Sequence, residues 1–131
     1  MRKVNLALIG CGVVGSSLIE QLHEKHERIK LEFEIDIRIA KVLVRNLNAK
    51  RDVPSESILF SSSHHTGVLN DVLTTDVADI VNAQGVDVIV EVAGGIDDAY
   101  EIISAGLSHS QSVVTANKAL LALKGNELYA L

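Results

Sequence analysis

A chain of 131 residues has room for one domain and excludes an enzyme with separate cofactor and substrate lobes. With 47% of its residues hydrophobic it can bury a core, and with only 3% aromatic that core must be aliphatic, the mix of buried parallel strands rather than of a β-sandwich. Twelve basic against seventeen acidic residues, a formal charge of −5, argue against nucleic acid or an anionic membrane as partner, so any anion site must be local.

Cys11 is the single cysteine, which excludes an internal disulfide and a cysteine-based zinc site and fits a reducing cytoplasm. The apolar stretch after Met1-Arg2-Lys3 runs straight into Gly10 without a cleavage signature, and no run of ~18 apolar residues follows. A soluble, cytoplasmic protein is expected.

In chain order, the run 4–9 is short, rich in β-formers and closed by Gly10, and reads as a buried strand. Val14, Leu18 and Leu22 then recur at helical spacing, with Glu20, Glu24, Lys25 and Glu27 on the other face. Phe33, Ile35, Ile37 and Ile39 alternate with charged residues and give way to Val42-Leu43-Val44, which predicts a long second strand beginning at Phe33, half exposed first and buried at its end. Residues 45–75 read as a loop with one weak strand at Ile58-Leu59-Phe60. Thr75 or Asp76 caps a short helix through Val81, Gly85 stops it, and the run 86–92 is another buried strand. Ile96, Tyr100, Ile103 and Leu107 mark a further helix, 111–115 a further strand, and Asn117-Lys118 opens a last helix broken at Gly125. The alternation predicts an α/β fold, a Rossmann-type open, mostly parallel sheet with helices on both faces and its ligand across the carboxyl ends of the strands.

Gly10-Cys11-Gly12-Val13-Val14-Gly15 is a GxGxxG pattern that follows a strand and opens an amphipathic helix, the context in which it cradles a diphosphate. Gly10 permits the tight turn, Gly12 lets backbone approach the pyrophosphate, and Gly15 lets helix and strand pack closely. The alternative is a glycine-rich turn without a ligand. Cys11 reads as a small residue packed beside the cofactor rather than a nucleophile. Where an NAD site places an acid after the second strand, this chain has Val44-Arg45-Asn46, and the guanidinium of Arg45 suits a 2′-phosphate, with Lys50 and Arg51 able to add charge. NADP is therefore the expected cofactor, NAD the alternative, and solvated loop charges the competing explanation of those cations. Ala93-Gly94-Gly95 allows backbone to pass close to a flat ligand such as the nicotinamide ribose, or is a turn whose glycines merely suit the backbone. Glu91, on a buried strand, needs a partner that the sequence does not name. Lys118, after Thr115-Ala116-Asn117, stands at a helix start where a cation opposes the dipole, which points to an anionic or carbonyl-bearing ligand. His23 and His26, like His64 and His65, lack the acidic or cysteine companions of a metal site and read as surface, and no metal is expected.

The segments 4–15, 42–46, 87–95 and 113–121 together resemble homoserine dehydrogenase. That resemblance implies that residues 1–131 form an NAD(P)-binding domain serving the interconversion of L-aspartate 4-semialdehyde and L-homoserine, on the route to threonine, methionine and isoleucine. It implies a catalytic or binding role for Lys118 at the cofactor–substrate junction, a contact of Arg45 with the adenosine 2′-phosphate, and cofactor contacts from Gly12, Val13 and Val14. Ala93, Gly94, Gly95 and Thr115 join the expected binding set. Members of the family continue into a substrate-binding and dimerisation domain, so the complete enzyme is expected to be a homo-oligomer and the 131 residues to bind cofactor without turnover. Two other readings stand beside it. A regulatory Rossmann module without chemistry has no reason to carry Asn117-Lys118 at the strand edge, and a sugar or imine oxidoreductase of related fold would show Glu-Lys-Pro where Thr115-Ala116-Asn117-Lys118 stands.

Overall fold

The computed structural model describes residues 1–61, 66–95 and 97–131. Ile96, His64 and His65 lie outside them. The chain runs β1 (Arg2–Ile9), α1 (Val13–Phe33), β2 (Ile35–Leu43), β3 (Glu56–Ser61), β4 (Thr66–Val68), a single 3₁₀ turn (Leu69–Asp71), β5 (Leu73–Thr74), α2 (Val77–Val81), β6 (Val88–Glu91), α3 (Asp97–Ser108), β7 (Ser112–Thr115) and α4 (Lys118–Tyr129). One seven-stranded sheet has the order β4-β3-β2-β1-β6-β7, with β5 paired to β2 off that path. Every pairing is parallel except β3 with β4. This is a Rossmann-like α/β sheet.

Alternation along β1 sorts the helices onto the two faces. Leu8 packs with Ile19 of α1, whereas Ala7 and Ile9 pack with Ile80 of α2 and Ile102 of α3. The crossovers therefore leave β1 on one face toward β2 and arrive at β6 on the other, and the carboxyl end of β1 becomes the switch point where such sheets open a crevice. Ile103, Leu120 and Leu128 form a third cluster that holds α4 against α3. Among the described residues no helix is long and apolar enough to cross a membrane.

Phe33 ends α1 instead of beginning β2. Glu34 caps the helix in the left-handed region (φ 55°), its N–H donating to the Lys30 carbonyl, so the turn falls one residue after the expected strand start. The change from alternation to the run Val42-Leu43-Val44 has a specific cause. The β1–β2 register slips between Leu6 and Ala7, leaving Ala40 without a partner on β1, and the buried residues step from Ile39 to Val42. A bulge of this kind shifts the inward-facing phase by one residue.

The stretch expected as mostly loop contains three strands. Ile58-Leu59-Phe60 lies in β3, where Leu59 and Phe60 are fully buried, and β4 returns antiparallel to it. β5 adds only two residues beside the end of β2, too few for any periodicity to show. Asp76 caps α2 as expected, its carboxylate accepting the Ala78 N–H at 2.9 Å. Gly125 does not break α4. A glycine inside a helix costs about 1 kcal/mol, and burial of Leu128 against α3 offsets it, as does the Tyr100 hydroxyl donating to Glu127 at 3.0 Å.

The reading of His26 as a surface residue is overturned: it is 3% exposed. Gly15, Ile19, Leu22 and His26 share one stripe of α1, so the helical spacing itself carried the signal. His26 Nε2 lies 3.0 Å from Asp36 Oδ1, and Arg38 donates to both Asp36 oxygens at 2.9 and 3.0 Å and to the Ile58 carbonyl at 2.7 Å. His23 remains exposed but reaches Ser57 Oγ through Nδ1 at 2.7 Å. The Arg38 hydrogen bonds, against a smaller opposing effect of burial and with help from His26, hold the Asp36 carboxyl at about 2 instead of 3.8. A depressed carboxylate contributes stability that is complete above its unfolded pKa and disappears as pH falls through the folded one. The urea midpoint is therefore expected to drop on acidification from about pH 4 toward about pH 2 in the wild type. Asp36→Asn should lose this part of the pH dependence, and parallel pH profiles for the two proteins would remove the assignment.

Candidate functional site

At the carboxyl ends of β1, β2 and β6 lies an open cleft of about 870 Å³. Its floor is the turn Gly10-Cys11-Gly12 and its far wall the turn Ala93-Gly94-Gly95, with Arg45 and Lys50 at one end and Asp98 of α3 among the lining groups.

The three motif glycines serve three different needs. A side chain at Gly10 (φ 99°) would meet the Ala93 backbone at 2.8 Å, so this position holds the two glycine turns together. A Cβ at Gly15 would collide with the Gly10 carbonyl oxygen, so α1 presses on the turn there. At Gly12 nothing lies within 4 Å of the Cβ position, which faces free space. Gly12 is also the N-cap of α1, with no side-chain cap and no acid in the first turn. The helix thus presents uncompensated N–H groups and the positive end of its dipole. Val13 and Val14 stand at this start, 87% and 58% exposed. Cys11 is half-buried, its Sγ 3.7 Å from Ser16 Oγ, and Ser16 Oγ also donates to the Cys11 carbonyl at 3.2 Å.

Of the expected cations, Arg45 and Lys50 are exposed at the cleft and make no hydrogen bond or ion pair with the described residues. Arg51 differs. Its guanidinium donates to the carbonyls of Ala49 (2.9 Å), Leu47 (3.4 Å) and Asn46, so it braces the loop rather than standing free.

Glu91, the buried acid without a named partner, is 0% exposed and fully satisfied. Oε2 accepts the N–H groups of Ala93 and Gly94 at 2.9 and 3.1 Å, and Oε1 accepts the Thr115 hydroxyl at 2.8 Å. Thr115 lies beside Glu91 in the β6–β7 register and is turned to that acid, outside the cleft lining. Lys118 also lies off the lining, exposed at the start of α4 and without a partner among the described residues. The sequence reading missed Thr75 and Val77, which line the cleft because β5 delivers them beside the end of β2. It also missed Asn117 as a side-chain cap. Among the described residues no cluster of His, Cys, Asp and Glu could hold a metal ion.

Residues 10–131 match the sequence family described as homoserine dehydrogenase, NAD binding domain. The chain belongs to that family. It is 32% identical over 130 residues to homoserine dehydrogenase of Bacillus subtilis (strain 168), a match covering 99% of this chain and 27% of the relative. A crystal structure of Staphylococcus aureus homoserine dehydrogenase at pH 6.0 superposes with a TM-score of 0.82 at 35% identity, covering 99% of this chain and 30% of that one. The homoserine dehydrogenase of Thiobacillus denitrificans gives 0.76 at 29% identity, over 98% of this chain and 27% of that one. The chain thus spans between a quarter and a third of the length of these relatives. The cleft geometry fits the nicotinamide dinucleotide that such a domain takes. An open cradle at Gly12 and an uncapped helix start are what a diphosphate requires.

Proposed function

We propose that this cleft binds NADP(H), with NAD(H) as the alternative, on behalf of an enzyme that interconverts L-aspartate 4-semialdehyde and L-homoserine. The observation that carries the reading is the bare amino end of α1 opening at Gly12 into the cleft. In this reading the N–H groups of the first turn of α1 hold the diphosphate, Arg45 holds the 2′-phosphate with Lys50 adding charge, and Thr75 and Val77 border the adenosine end. The Ala93-Gly94-Gly95 turn backs the nicotinamide ribose, and Val13 and Val14 lose their exposure against the cofactor. The bound cofactor supplies the hydride chemistry. Lys118, uncommitted to any protein partner among the described residues, offers a positive charge to the substrate oxygen that gains negative character. The route served is the biosynthesis of threonine, methionine and isoleucine, in the cytoplasm, and the complete enzyme is a homo-oligomer through its further domain.

Residues 1–131 by themselves are expected to bind without turning over, because the groups that would hold the substrate opposite Lys118 belong to that further domain. Thermal unfolding with added NADPH tests the binding. At ligand about a hundredfold above Kd the folded state gains about 2.7 kcal/mol, a plain rise in melting temperature. No shift with millimolar NADPH or NADH would overturn the proposal.

A further inference from the structure

The hydrogen bonds around Glu91 close a ring. From Glu91 Oε2 the ring runs through the Ala93 and Gly94 N–H groups to Gly95, whose carbonyl accepts the Asn117 side-chain amide. The Asn117 backbone N–H donates to Thr115 Oγ at 3.0 Å, and the Thr115 hydroxyl returns to Glu91 at 2.8 Å. Asn117 Oδ1 also accepts the Leu120 N–H at 3.0 Å and so caps α4. Gly94 and Gly95 both have positive φ, 80° and 83°, a turn with little conformational preference of its own. It is fastened at its start by Glu91 and at its end by Asn117. The residue after Asn117 is Lys118.

We infer that Glu91 is a positioning residue, which through Thr115 and Asn117 sets the Ala93-Gly94-Gly95 turn and the Lys118 end of α4 relative to each other. A buried charge costs several kcal/mol unless it is paired or fully hydrogen-bonded. An apolar residue would pack at this strand end without that cost, but it would leave the two N–H groups and the Thr115 hydroxyl unsatisfied. The arrangement requires an acceptor on both arms. An amide at position 91 turns a donor either toward the N–H groups or toward a hydroxyl that already accepts from Asn117. The consequence for the cofactor rests on the binding mode proposed above, with the nicotinamide half against this turn and the adenosine half at Arg45.

The test uses Thr115→Val, Thr115→Ser and Glu91→Gln in the full 131-residue chain, with two probes, NADPH and adenosine 2′,5′-bisphosphate. NADPH affinity should fall about tenfold, the equivalent of one buried hydrogen bond, in Thr115→Val and Glu91→Gln. Adenosine 2′,5′-bisphosphate affinity should hold within about twofold, and Thr115→Ser should restore NADPH binding. Equal losses for both probes would mark a merely structural role and overturn the inference, as would unchanged NADPH binding in Thr115→Val. Amide resonances of the free protein give a readout independent of any ligand. Thr115→Val should move the Ala93, Gly94 and Lys118 signals, and Thr115→Ser should leave them near their wild-type positions. Still signals in Thr115→Val would overturn the ring itself, whereas a wild-type chain that binds neither probe would overturn only the cofactor reading. If Glu91→Gln does not fold, the Thr115 pair decides.

Discussion

Alanine at position 15 is expected to lower the melting temperature by of order 10 °C, whereas alanine at position 12 leaves it nearly unchanged and removes most of the dinucleotide affinity. The two substitutions add the same methyl group three and six residues after the same strand, within one motif. At Gly15 that methyl runs into the Gly10 carbonyl oxygen, with the carbonyl carbon at 3.0 Å, and neither is the far end of a flexible side chain. Either α1 or the turn must move, and overpacking of this kind costs about 1–3 kcal/mol. At Gly12 the methyl meets nothing in the protein and enters the space where a diphosphate would contact backbone. Closing that approach should weaken NADPH at least tenfold, about 1.4 kcal/mol. Calorimetric unfolding and a binding titration on both variants separate the effects. Intact binding in Gly12→Ala would show that the diphosphate lies elsewhere.

Arg45→Ala should weaken NADPH by about 1.5–3 kcal/mol, roughly 10- to 150-fold, while NADH changes little. Arg45 makes no hydrogen bond or ion pair with the described residues, so its removal leaves no protein acceptor unsatisfied and the loss reports on the ligand. Arg51→Ala provides the contrast. Three loop carbonyls lose a donor, and the looser loop should weaken both cofactors alike. Equal losses of NADPH and NADH in Arg45→Ala would withdraw the 2′-phosphate assignment and leave NAD as the better choice of cofactor.

The opening strand, glycine turn and helix were legible, apart from the helix end at Phe33, because strand and helix periods are local properties and the glycines sit where the one changes to the other. The cap at Asp76 was legible for a similar reason, since a capping side chain bonds an N–H two residues away, and the start of α4 was legible although the cap that Asn117 makes there was not. Less could be read between residues 45 and 75. β5 is two residues long and exists only because β2 offers it a free edge after β3 has left. Thr75 and Val77 enter the cleft by that pairing alone. His26 was misread for want of a partner in the neighbouring sequence, although its place on the stripe with Gly15, Ile19 and Leu22 was visible.

Local chemistry was thus enough to settle the order of elements outside residues 45–75, the parallel α/β class and the glycine turn, because each follows from side-chain period or from the absence of a side chain. What Glu91 is for could be decided only in three dimensions. Its acceptors serve Ala93 and Gly94 on one arm and Thr115, 24 residues away, on the other, and those groups meet because β6 and β7 lie in register. A buried acid announces that it needs partners, and only the packing of strands that are distant along the chain supplies them.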